Sequence, residues 1–177
     1  MKTFLLYILL LVSTCLFSQS NDECKYFTVL TYLKTNTAIN KQIKEYTSFW
    51  KIKKFKFLDM NVSPWVEFIE IRQFKDKIIP DSIGLSKEIV SDDRLYYKAY
   101  NFEPFKSGLL AETIEENDSK LYLTFSKVIG NTLLIEILNS KNELPRGRRR
   151  GGGVKILFVF NPSGAIKTVL LNTVVYN

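Results

Sequence analysis

Four arginines crowd the segment PRGRRRGGG, residues 145–153. A guanidinium is a planar fork of donors, and several on one glycine-rich loop can grip phosphate, sulfate or carboxylate in bidentate fashion. Arg146, Arg148, Arg149 and Arg150 are therefore candidate anion-binding residues. The competing reading is a solvated loop kept extended by its own charge. The glycines follow the arginines and no Lys-Ser/Thr pair completes a phosphate cradle, so the segment is not a nucleotide loop. A second set is aromatic. Trp65, Tyr96, Tyr97 and Tyr100 can line a small-ligand pocket, the phenols presenting hydrogen bonds at their tips. Core and rim packing is the other role open to them.

Two further clusters read as surface. Glu112, Glu115, Glu116 and Asp118 lack the spacing of a calcium loop and suit a solvated turn. Lys51, Lys53, Lys54 and Lys56 interleave with Phe55 and Phe57. That composition occurs in single-strand nucleic-acid grooves, but an edge strand guarded by lysines explains it as well. No specific nucleic-acid partner is expected.

The chain contains no histidine. A Ser-His-Asp or Cys-His pair and a His-ligated metal are thereby excluded within this chain. No other nucleophile–base pair, metal constellation or cofactor loop stands out, so no catalytic residue, metal or cofactor is assigned.

The N-terminus carries an address. Lys2 precedes an apolar run from Phe4 to Val12, which relaxes into Ser13, Thr14, Ser18 and Ser20. This is the charged, apolar and small-residue order of a secretory signal peptide, and the run is too short to span a bilayer. Residues 1–20 are read as that signal and residues 21–177 as one domain, secreted or periplasmic, with no transmembrane span after cleavage. Lipidation at Cys15 is the minor alternative. Cleavage leaves Cys24 as the remaining cysteine, either buried or available to another chain, and rules out an internal disulfide.

Cleavage also removes the charge of Lys2 from a net +7, leaving +6. The lysine and arginine clusters account for all of this excess, so the rest of the chain is near neutral. Apolar residues make up 46% of the chain, enough for a folded core and too many for a disordered tail.

Positioning falls to a series of short elements. Tyr26, Val29, Leu30 and Leu33 share one helical stripe, with Asp22 as N-cap. Asn36 can cap a second helix with Ile39, Ile43 and Tyr46 facing inward. Residues 54–62 read as a bulged strand, and Ser63-Pro64 as a helix start. Residues 75–110 are ambiguous; Ser86 can cap a helical turn, and residues 95–100 can be a strand. Residues 120–128, 132–138, 154–160 and 165–176 predict four consecutive antiparallel strands, turning at Gly130-Asn131 and Pro162-Ser163.

Helices first and a four-strand meander last predict an α+β fold, with N-terminal helices on one face of a curved antiparallel sheet. This element order resembles the NTF2-like and cystatin-related class, in which a cone encloses a pocket. The ending LFSQS and the Lys-, Asn- and Ile-rich style resemble small exported proteins of Bacteroidota-type bacteria. The expected function is a non-catalytic exported binding protein, its partner an anionic surface or small ligand. The alternative is an NTF2-like carrier or enzyme with a carboxylate- and tyrosine-lined pocket.

Overall fold

A computed structural model describes residues 22–47, 60–79, 83–112, 121–138 and 151–176. Residues 1–20, expected above to be a signal peptide, the lysine cluster and all four arginines lie outside the described residues. Helix α1 spans Asp22–Thr35 and buries Tyr26, Val29, Leu30 and Leu33, the stripe expected from their spacing. Thr35 is followed by Asn36, whose Oδ1 accepts the Ile39 N–H at 3.0 Å and starts α2, Thr37–Thr47. Ile39 and Ile43 face inward, whereas Tyr46 is 39% exposed. Cys24 lies on α1, where its carbonyl accepts the Thr28 hydroxyl at 2.8 Å.

Six strands form an open, curved sheet. They are β1 (Asn61–Val66), β2 (Phe105–Lys106), β3 (Tyr122–Phe125), β4 (Thr132–Leu138), β5 (Gly151–Phe160) and β6 (Ile166–Tyr176). Their order across the sheet is β2-β1-β3-β4-β5-β6. Strands β3 to β6 form the expected antiparallel meander. Gly130 supplies the turn between β3 and β4 at φ +59, where a side chain would be strained and a Cβ would meet Ile83 O at 3.0 Å.

Three expectations need correction. The sheet is mixed, because β1 runs parallel to β3. Parallel neighbours require a long crossover, and residues 67–121 provide it. Ser63-Pro64 does not start a helix; both residues lie within β1. The β1–β3 register shifts between Val62 and Val66, and such an irregular stretch tolerates a residue that has no N–H to give the ladder. Residues 95–100 are not a strand: Asp92 caps helix α4 (Asp93–Ala99) by accepting the Arg94 N–H at 2.8 Å. Ser86 does cap a helical turn, α3 (Lys87–Ser91).

The crossover also decides the layering. One face of the sheet presents Leu123, Phe125, Leu133, Ile135, Ile137, Val154, Ile156 and Phe158 to α1 and α2. The opposite face presents Leu134, Leu157 and Val159 to a second cluster from the crossover, including Ile69, Ile71, Phe74, Val90 and Tyr96. Helices thus cover both faces, not one as expected. That is why β4 is buried at every residue and reads as a nearly unbroken apolar run. A last short helix, α5 (Gly108–Glu112), returns to the α1 side, where Ser107 Oγ donates to Glu23 Oε2 at 2.7 Å.

Gly151, Gly152 and Gly153 belong to β5, not to the loop before it. A Cβ on Gly153 would stand 3.0 Å from both Leu138 Cδ2 and Val174 Cγ2 and 3.3 Å from Ile137 O. Glycine is needed here for close approach, not for freedom.

Candidate functional site

The crossover-facing side of the sheet carries the charged groups of the interior. Thr124 pairs with Glu136, Glu136 with Lys155, and Lys155 with Asn172, so one polar row crosses β3, β4, β5 and β6. Strand periodicity puts all four side chains on one face, since directly opposed residues share a side. Glu136 and Lys155 are completely buried and Thr124 nearly so.

A buried ammonium needs a counter-charge, because burying an isolated ion costs several kcal/mol or more. The crossover supplies it. Lys155 Nζ lies 3.1 Å from Glu70 Oε2, and the Glu70 side chain is 46% exposed. The buried lysine is thus linked to the surface through Glu70. Asn172 Nδ2 donates to Gln73 O at 2.9 Å, tying the other end of the row to the same segment.

Above this pair lies an open cleft lined by Glu70, Arg72, Gln73, Lys75, Asp76 and Asp93. Asp93 Oδ1 accepts the Arg72 N–H at 3.1 Å. Burial raises the Asp93 pKa above the ordinary 3.8; the Arg72 N–H bond opposes the shift, nearby Glu70 adds to it, and Lys155 lowers it. The cleft thus sets a carboxyl of raised pKa beside the Lys155–Glu70 ion pair. Among the described residues no group of His, Cys, Asp and Glu is arranged to hold a metal ion.

The aromatic candidates divide. Tyr96, Tyr97 and Phe102 surround Phe68, with ring centroids 5.7, 5.2 and 5.8 Å from it. Tyr100 stacks edge-on against Tyr96 at 5.6 Å. Tyr96 is 2% exposed, and burial raises its hydroxyl pKa well above the ordinary range; burial also raises that of Tyr100. Tyr97 is 46% exposed. Trp65 lies on β1, with Lys106 Nζ 5.0 Å from its ring centre. Two of the four residues therefore meet at Phe68, Tyr100 packs against Tyr96, and Trp65 stacks with a lysine.

Sequence reasoning passed over Glu136 and Lys155. The signal was present: each is the lone charge in an apolar strand, TLLIEIL and VKILFVF. Once 132–138 is laid antiparallel on 153–159, the two charges fall opposite each other. No helix among the described residues is long and apolar enough to cross a membrane. No family model, no curated protein and no solved structure matches this chain.

Proposed function

We propose that the chain is an exported, non-catalytic binding protein that takes an anionic ligand at its surface. The observation carrying this reading is the filling of the sheet on both sides. Tyr26, Leu30, Leu33 and Ile43 occupy the space over one face, and Ile69, Ile71, Phe74 and Tyr96 the space over the other. A carrier of the NTF2-like kind needs that space for its ligand. The interior lysine is also held by carboxylates, Glu70 at 3.1 Å and Glu136 opposite it on β4, so it is not a free cation for a ligand. The positive excess lies in the two sequence clusters, and four guanidinium groups within five residues favour an oxyanion-bearing partner.

The reading is tested by salt. Heparin and acidic phospholipid vesicles are suitable anionic probes for the exported chain. Binding should weaken steeply between low and moderate ionic strength, because exposed charges are screened beyond about 10 Å at 0.1 M salt. Replacing Arg146, Arg148, Arg149 and Arg150 by serine should weaken binding while moving stability by no more than about 0.5 kcal/mol. Unchanged binding would remove the arginines from the site. Export is tested by N-terminal sequencing: a start at or near Asn21 supports a cleaved leader, an acylated Cys15 supports a lipoprotein, and an intact Met1 contradicts both.

One observation favours the alternative, an enzyme or small-ligand carrier using carboxylates. Asp93 is a carboxyl with raised pKa in a cleft beside Glu70 and Lys155, the kind of group acid–base chemistry uses. A small ligand whose binding follows the protonation of Asp93 and is lost in Asp93→Asn would establish that reading instead.

A further inference from the structure

Among the described residues strand β6 ends the sheet, and its eleven residues, IKTVLLNTVVY, include a single charge, Lys167. A long, charge-poor, β-branched edge is the kind that recruits another strand unless something guards it. Its outward groups can be identified. Lys77 Nζ donates to Leu171 O at 2.9 Å, so that carbonyl is turned away from β5. Antiparallel alternation then turns the backbone of Val169, Thr173 and Val175 outward as well. Val175 is 74% exposed. An open cleft lined by Gln42, Glu45, Tyr46, Lys77 and Leu171 runs beside this stretch.

We propose that the outer edge of β6 is a latent strand-pairing surface for a second copy of β6, held closed by Lys77. The sequence is self-complementary in this sense. A two-fold axis through Asn172 sets Leu171 opposite Thr173 and Val169 opposite Val175, joining apolar and β-branched pairs on one face. The same axis sends the two copies of Lys167 to opposite ends, so the strand's only charges do not meet. Lys77 opposes the pairing in two ways. It occupies an acceptor in the middle of the edge, and an incoming strand must bury or displace its ammonium. The Asn172–Gln73 bond anchors the segment that carries Lys77, so the guard does not depend on the lysine side chain alone.

Sedimentation velocity of the full chain across a concentration series tests this. Lys77→Met should shift the midpoint of self-association to about tenfold lower concentration or less. Lys77→Arg, which keeps the donor, should sediment like the parent chain. Adding Val175→Lys to Lys77→Met should restore the monomer, because two new charges would face the pairing strand. In the associated form, hydrogen exchange should slow at Thr173 and Val175; this readout follows the edge even if a variant is partly destabilised. A Lys77→Met chain that sediments like the parent would overturn the proposal. So would association that persists unchanged with Val175→Lys.

Discussion

The two faces of the central strands are built from the same backbone and do different work. On the α1 side, Leu123, Phe125, Ile135, Ile137, Val154, Ile156 and Phe158 form an apolar surface that interlocks with Tyr26, Leu30 and Leu33. One residue along each strand, the opposite face carries Thr124, Glu136, Lys155 and Asn172 in line. An apolar face is tolerant of sliding, whereas a charged row is satisfied in one register only. A shift of one residue would turn Lys155 into the apolar layer and leave Glu70 without its partner. The apolar face thus supplies most of the stability, and the charged face specifies the register and opens to solvent.

This contrast orders the expected effects. The largest belongs to the apolar side: Phe125→Ala should cost about 3–5 kcal/mol in chemical unfolding, since Phe125 is fully buried against Tyr26. On the charged side the cost should depend on which partner is removed. Glu70→Ala removes the carboxylate 3.1 Å from the buried Lys155 ammonium and should cost roughly 1–3 kcal/mol, less than for a fully buried pair because Glu70 is half exposed and Glu136 stays opposite the lysine. Lys155→Met should cost more than Glu70→Ala, since it leaves the fully buried Glu136 opposite an apolar side chain and removes the cation from Glu70 as well. The reverse order would mean that Glu136 does not depend on the lysine as its counter-charge.

Gly153→Ala tests the close approach at the end of the row. Its Cβ would press on Leu138, Val174 and the Ile137 carbonyl, and overpacking of this kind costs about 1–3 kcal/mol. Asp93→Asn should have the smallest effect and the opposite sign. The folded pKa of Asp93 is raised, so its contribution to stability is fully present below pH 3.8 and is lost as pH rises through the folded value. Asn keeps an oxygen for the Arg72 N–H and removes the charge. The variant should therefore match or exceed the parent at neutral pH and show a flatter decline of stability above about pH 4.

The meander was legible because its strands are rich in β-forming residues and separated by Gly130 and by Pro162-Ser163, local signals that tertiary context did not override. The α1 stripe was legible for the same reason. The layering was not. Nothing local in residues 67–100 announces that they cross the second face, and Ser63-Pro64 is as good a signal for a strand irregularity as for a helix start. The glycine triplet misled in a similar way: Gly151–Gly153 suggested freedom, but neighbouring side chains crowd Gly153. The charged row was half legible. Lone charges at Glu136 and Lys155 stood out, but their meaning depended on register and on Glu70, which lies 85 residues from Lys155 in the chain.

A heparin-binding isotherm of Lys155→Met at low salt, with the unfolding midpoint recorded in the same buffer, separates a surface site from an interior one most directly. If the interior row fixes register and the ligand is held outside it, the isotherm superimposes on that of the parent chain while the midpoint shifts. Loss of binding with the fold intact would place the ligand at Lys155 and contradict the surface site.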